Sequence, residues 1–488
     1  MKHIQHFING MFVDSISQRS FSKLSPVDGR QIAAVQEADE EDVAKAVSAA
    51  KAALKGEWGQ MTQRQRAEKL EKVAQRIIER FDEFLEAECA DTGKPKSLAS
   101  HIDIPRGAAN FTAFSHALGN EPTETFSMDT PDGSKAINLG LRKPKGVIAV
   151  ICPWNLPLLL MTWKVGPALA CGNTVVVKPS EVTPTTAALL GDVMNECGIP
   201  AGVYNVVHGF GAQSAGQYLT QNPDVDAITF TGETSTGESI MQAAALGLRN
   251  ISLECGGKNS AIVFEDCDMH SAVEGVLRSA FENTGQVCLG TERVYVQSTI
   301  FEEFLHRLKE RVSELKLGPP DMPNVNLGPL ASLEHQLKVL SYYDLAKKDG
   351  AQVVIGGGVP NLGASLDGGA WVEPTIWVGL DRSSKVLQEE IFGPCCHVQP
   401  FDDEREVIAL ANDTNYGLCA SVWTQNIQRA MTVSHSLDVG IVWVNSWFLR
   451  DLRTAFGGAK QSGIGREGGV HGLEFYTELQ NVCIKYDN

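Results

Sequence analysis

The period of the hydrophobic positions changes from segment to segment, and those changes predict the elements of the chain. Residues 7–14, FINGMFVD, are two short strand-like runs about Asn9 and Gly10, a compact hairpin signal. Over 39–53 an amphipathic helix is expected, with acids in its first turn where the helix dipole favours negative charge. A second long helical pattern runs over 62–92, with Leu70, Val73, Ile77, Phe81 and Leu85 at spacings of three and four. Helical periodicity returns after Pro105 and extends to residue 120. Arg106 then sits just inside a helix start, where the dipole opposes a cation. From this segment alone it reads either as a surface arginine paired with a neighbouring acid or as a residue placed against local preference for a functional reason.

Between 121 and 145 the helical period is lost among Pro122, Pro131, Asp132, Gly133 and Pro144, with a strand-like run over 136–142. Residues 146–152 are continuously apolar, as a parallel strand covered on both faces must be. Strand, loop and helix alternate again at 174–178, 202–208 and 227–232, which predicts an α/β chain with a doubly wound parallel sheet. Ligands bind such sheets at the carboxyl ends of the strands. A helix over 269–282, a strand over 292–297 and an amphipathic helix over 300–315 predict a second α/β domain. Residues 440–451 read as a strand followed by an aromatic loop, and 479–485 as a final strand able to pair with another subunit's sheet edge.

A chain of 488 residues exceeds the roughly 250–300 at which one hydrophobic core stops growing, so at least two domains are expected. The net charge of −17, from 42 basic and 59 acidic side chains, argues against nucleic acid or an anionic membrane surface as partner. It also means that an anionic substrate needs local cations. The N-terminus lacks the pattern of a secretory signal, and no apolar run approaches the ~18 residues of a membrane span. Eleven cysteines without paired CxxC spacing fit a cytoplasmic protein with free thiols and no metal site.

The candidate chemistry centres on FENTGQVCLG at 281–290, where Cys288 lies between Gly285 and Gly290. A thiol attacks as thiolate and needs either a lowered pKa or a base. Glu254, in LECGGKN at 253–259, is the carboxylate candidate. Most cysteines in a chain this size are small buried hydrophobes, so the spacing alone leaves Cys288 open. Asn155, in PWNLP at 153–157, offers an amide donor at a strand end, the kind of group a developing alkoxide needs, or is only a turn residue. Lys178 and Glu181 lie at another strand end: the lysine suits ribose hydroxyls, and the carboxylate suits a 2′-hydroxyl while repelling a 2′-phosphate. That pair favours NAD over NADP, or is an ordinary exposed KxxE pair. Glycine-rich turns follow strands at 209–216 and 230–237, and neither is GxGxxG.

PWNLP, LECGGKN, GQVCLG (285–290) and EEIFGP (389–394) occur in that order, and with them the chain resembles the aldehyde dehydrogenase superfamily over nearly its whole length. The resemblance implies an α/β fold of two doubly wound, Rossmann-like parallel-sheet domains and a small β oligomerisation ribbon. Its expected layout is an NAD-binding domain over 1–121 and 145–256, a catalytic domain over 257–456, and a ribbon over 122–144 and 472–488 in a homo-oligomer. It implies Cys288 as nucleophile, Glu254 as general base, and Asn155 with the Cys288 backbone amide as oxyanion hole. NAD would be held by Trp154, Lys178, Glu181, Gly232, Glu390 and Phe392. Lys164 and Glu467 would form a proton relay, although Glu467 reads more readily as part of a solvated Arg–Glu pair with Arg466. One position departs from the family: Glu233 stands where serine often binds the diphosphate, so it is expected to point away and leave the following helix start to do so.

Two arginines, Arg106 and Arg450, resemble the branch of the family acting on 2-amino- and 2-hydroxymuconic semialdehydes, products of aromatic ring cleavage. A guanidinium fork suits a carboxylate. Trp447 and Phe448 would line the entrance there, or belong to the core. A broad-specificity or betaine-type enzyme is the alternative within the family, and a catalytically silent relative is the alternative outside enzymes. The presence of Cys288, Glu254 and Asn155 together counts against silence.

Overall fold

In the computed structural model, which describes residues 2–119 and 122–487, the apolar runs build two large sheets with parallel centres. Across the first, the strands are ordered Gly463–Ile464, Asn250–Glu254, Ala227–Thr231, Val147–Ile151, Thr174–Lys178, Tyr204–Val206, His6–Ile8 and Met11–Val13. The five central strands are parallel, and the flanking ones antiparallel. Alternate residues of Val147–Ile151 enter two different cores. Ile148 and Val150 pack with the helices Gln63–Glu79, Asp103–Gly119 and Pro157–Ala170, whereas Val147, Ala149 and Ile151 pack with Glu40–Lys55 and Thr234–Ala245. Burial on both faces contributes about 1.5–3 kcal/mol per aliphatic side chain, which is why this strand reads as uninterrupted apolar sequence. Strand order reverses at Val147–Ile151, because the chain first adds strands on one side of it and then crosses to the other. The crevice of a doubly wound sheet opens at such a switch point.

The second sheet is ordered Gln352–Ile355, Thr375–Val378, Cys395–Phe401, Thr291–Gln297, Asn259–Val263, Cys419–Trp423 and Ile441–Val444, all parallel except the first. Only four residues separate Glu254, at the carboxyl end of its strand, from Asn259, at the amino end of the next. The cleft therefore lies between the two sheets. A third sheet pairs Lys135–Pro144 with Thr125–Asp129 on one side and with Thr477–Tyr486 on the other, in unbroken register from Thr477 opposite Pro144 to Tyr486 opposite Lys135. A small N-terminal sheet of Lys2–Ile4, Gln31–Gln36 and Ser20–Leu24 carried no signal in the sequence pattern. The hairpin at Asn9 and Gly10 forms with φ of 54° and 77°, the pair of positive values its tight turn requires.

The single helix expected over 62–92 is two helices, Gln63–Glu79 and Phe81–Thr92, broken at Arg80 (φ −100°, ψ 27°). One non-helical residue barely shifts the phase of the buried stripe, which passes from Leu70, Val73 and Ile77 to Phe84, so periodicity alone could not show the break. Among the described residues no helix is long and apolar enough to cross a membrane.

Candidate active site

The nucleophile loop begins where the helix Met269–Phe281 ends. Asn283 and Thr284 take left-handed φ of 54° and 57°, and Gly285 follows at 72°. Such backbone costs about 1–3 kcal/mol per non-glycine residue and persists only where surrounding contacts dictate it. At Gly285 no other residue fits, since a Cβ would lie 1.9 Å from the Gly393 carbonyl oxygen. The loop delivers Cys288 half-buried. Asn259 fixes it: its Nδ2 donates to the carbonyls of Cys288 (2.7 Å) and Gly290 (2.9 Å), and its Oδ1 accepts from the Cys419 amide (3.1 Å). Trp447 is buried and spends its indole N–H on the Leu289 carbonyl (2.8 Å), so it supports the loop from beneath. Phe448, half-buried at φ 61°, stacks on it at 5.2 Å.

No local field activates the thiol. Burial pushes Cys288 up to about 12, helped by the negative charges of Glu390 and Glu254 and opposed by Arg450. At neutral pH it is a thiol and needs a base. Glu254 is buried at its strand end, and its Oε1 has no hydrogen-bond partner among the described residues. Gly457 leaves room for that oxygen, because a Cβ there would stand 2.8 Å from it. Burial holds the Glu254 carboxyl well above the usual range, reinforced by Glu467 and opposed by Lys164, Arg450 and Arg466.

Glu467 is not half of a solvated pair. It is buried and accepts from Lys164 Nζ at 2.6 Å, while Arg466 turns to the carbonyls of Gly458 and Gly465, both at 2.8 Å. The cause is an antiparallel bridge in which Glu467 and Phe456 exchange backbone hydrogen bonds of 2.7 and 2.8 Å, and successive side chains of such a segment point to opposite faces.

Asn155 is fixed through its own backbone. Its carbonyl accepts from Lys94 Nζ (2.9 Å) and Asn283 Nδ2 (3.2 Å), and Lys94 is in turn paired with buried Asp103 at 3.0 Å. The side-chain Nδ2 donates one proton to the Gln286 carbonyl (3.0 Å), leaving the second amide proton for a ligand. Lys94, Asp103 and Asn283 escaped the sequence reading, since nothing in their local pattern marks a polar residue as buried.

The two arginines lie near enough for the charge of Arg106 to act on Arg450. Arg106 is half-buried with its Nε enclosed and unpartnered among the described residues, so the surface-pair reading of it fails. Arg450 lies with its guanidinium carbon 4.1 Å from the Trp163 ring centre and 3.8 Å from that of Phe456. Its Nε and Nη2 are buried and likewise unpartnered. Burial lowers Arg450 to about 10, with the like charge of Arg106 adding to the effect and Glu467, Glu254 and Cys288 opposing it.

On the other side of the cleft, Lys178 and Glu181 pair at 3.1 Å beside the switch point. Gly232 follows the neighbouring strand and leads into the helix Thr234–Ala245; Glu233 is exposed and does not cap it, so its side chain leaves the first-turn amides alone. Glu390 Oε1 accepts from the Gly257 amide (2.7 Å), and Gly256 is so close that a Cβ would fall 2.2 Å from Glu390 Oε2. Burial and Glu292 raise Glu390 to about 7. Phe392 holds φ 63° because Glu292 accepts both its amide (2.8 Å) and that of Ile391 (3.0 Å), while buried Lys258 pairs with Glu292. Its ring meets Trp154 edge-on at 5.4 Å, and His335 donates to its carbonyl at 2.8 Å, burial having pulled the imidazole down to about 4 and kept it neutral. Polar groups at each end and amides between them match the ribose–diphosphate–ribose outline of a dinucleotide.

A reachable thiol without a depressed pKa, a buried carboxyl, an amide donor and a dinucleotide-shaped cleft together define a thiol-dependent oxidoreductase acting on a carbonyl group. The sequence profile of the aldehyde dehydrogenase family matches residues 12–482, and the chain belongs to that family. It is 66% identical over 485 residues to a 2-hydroxymuconic semialdehyde dehydrogenase of Pseudomonas sp. (strain CF600), covering 99% of this chain and 100% of the relative. It is 55% identical over 487 residues to a 2-aminomuconic 6-semialdehyde dehydrogenase of Pseudomonas sp., covering 100% and 99%. The solved NAD+ complex of an aldehyde dehydrogenase from Bacillus cereus superposes with a TM-score of 0.96 at 38% identity, covering 100% of this chain and 97% of that one.

Proposed function

We propose that this aldehyde dehydrogenase oxidises a carboxylated semialdehyde, 2-hydroxymuconate semialdehyde or its 2-amino counterpart, to the dicarboxylic acid with NAD as acceptor. The observation that carries the substrate is the pair of guanidinium groups, Arg106 and Arg450, enclosed in the cleft with donors unspent. Enclosed cations without counter-ions are costly unless a ligand supplies the anion. The names of the relatives support the same substrates. A betaine-type substrate would bring its own cation against these two.

Cys288 sulfur attacks the aldehyde carbon and its proton passes to Glu254. The oxyanion of the resulting thiohemiacetal is held by the remaining amide proton of Asn155 and the backbone N–H of Cys288. Hydride from that carbon is what NAD, when bound, receives. The Cys288 thioester then meets water, from which Glu254 takes a proton, and the acid is released. Lys164 and Glu467 give each of these protons a way out, the first leaving Glu254 before the thioester is hydrolysed. When NAD binds, Glu390 and the Lys178–Glu181 pair would take the two riboses, Glu181 would exclude a 2′-phosphate, the Gly232 turn would take the diphosphate, and Trp154 and Phe392 would wall the nicotinamide end. The exposed apolar side chains Phe126, Leu479 and Ile484 on the third sheet suit a homo-oligomeric ribbon contact. The expected compartment is the cytoplasm.

With 2-hydroxymuconate semialdehyde, NAD reduction should exceed that with an uncharged aldehyde of similar length by a large factor in kcat/KM; equal values would remove the substrate assignment. Arg450→Ala should raise KM for the carboxylated substrate roughly 10- to 100-fold, the worth of a charged hydrogen bond. Asn155→Ala should lower kcat by about 10²–10³, the usual loss for one oxyanion donor, with KM nearly unchanged in steady-state assays.

A further inference from the structure

Among the described residues Arg450 has no ion-pair partner, yet two aromatic rings have their centres within 4.1 Å of its guanidinium carbon. Trp163 projects from the helix Pro157–Ala170 next to Lys164, and Phe456 is bridged through its backbone to Glu467, which binds Lys164 at 2.6 Å. One ion pair therefore ties together the two elements that carry the rings. Trp163 is further backed by Phe114 at 5.1 Å. An aromatic face attracts a cation through its quadrupole and takes none of its in-plane N–H groups. A carboxylate would hold the same guanidinium by consuming those donors, and it would compete with the substrate.

We propose that Trp163 and Phe456 are positioning residues that clamp Arg450 between two ring faces, keeping its N–H groups free for the distal carboxylate of the substrate. This rests on the carboxylated-semialdehyde reading above. The clamp also restrains Arg450 from turning toward Glu254 and Glu467, both of which act on its charge. Were it to pair with Glu254, the general base would be held as a spent carboxylate. The two rings thus serve substrate choice and protect the base by the same contact.

The test compares kcat/KM for 2-hydroxymuconate semialdehyde with that for an uncharged aldehyde of similar length, in the full-length enzyme with NAD. Phe456→Leu removes one face and is expected to lower that ratio about tenfold, the order that loss of one desolvated cation–π contact implies. The change should fall mainly on KM for the carboxylated substrate. Phe456→Tyr, which restores a ring, should return the ratio to within about threefold of the unmodified enzyme, and Phe456→Met, a flexible chain of similar reach without a π face, should behave as the leucine variant. Should Phe456→Leu and Phe456→Met keep the full ratio while Arg450→Ala collapses it, the clamp is wrong and the substrate reading survives. Should Arg450→Ala itself leave the ratio unchanged, the substrate reading fails first.

Discussion

Replacing Cys288 by serine should reduce aldehyde-dependent NADH formation by ~10⁴-fold or more, on the scale seen when a covalent nucleophile is removed from a working set of residues. The loss should be chemical, because the loop is shaped by Asn259, Trp447 and Gly285, none of which touches the sulfur through the bonds described. Circular dichroism of the variant should therefore match the parent. Alkylation of the parent gives the complementary measurement. With the thiol pushed up to about 12, inactivation by iodoacetamide should be slow at pH 7 and accelerate as pH rises. Residual turnover of the serine variant within tenfold of the parent would rule out Cys288 as nucleophile.

Glu254→Gln should lower steady-state turnover by about 10²–10⁴, the range that general acid–base catalysis contributes. Because Glu254 serves both the thiol and the water, intact-mass spectrometry after mixing with aldehyde and NAD should show the adduct on Cys288 forming more slowly than in the parent and then persisting, since the amide takes no proton from water. The pH profile follows from the direction of the shift. A carboxyl raised above its ordinary range stays neutral, and useless as a base, through acidic pH, so the rate should climb as pH passes upward through the raised value. In the glutamine variant that climbing limb should disappear. A variant that turns over normally with the same pH profile would transfer the base to another group.

The parts of the site that the sequence displayed are those carried by contiguous chemistry. Cys288, Glu254 and Asn155, the proposed reacting set, each lie in a short stretch where glycine or proline sets the backbone, and the uninterrupted apolar run before Asn155 named its strand. Arg106 and Arg450 were visible as misplaced cations, but their nearness was not, because they stand far apart in the chain. The same limit hid Lys94 and Asp103 behind Asn155, and Trp163 and Phe456 around Arg450. A local period also cannot report the break at Arg80 or the inward turn of Glu467, which depends on its bridge to Phe456.

The strand that ends in Glu254 has Gly463–Ile464 as its outer neighbour, with Leu253 opposite Ile464 and Glu254 opposite Gly463. The proposed general base is therefore flanked by a segment made some two hundred residues later. During synthesis the first sheet can assemble its other strands early, yet the edge beside Glu254 stays unpaired until the far end of the chain has left the ribosome. The intervening second sheet must be looped out or folded before that edge closes. A product ending before residue 463 lacks the strand that lies beside Leu253 and Glu254 on that side, and keeps only their pairing with Ala227–Thr231.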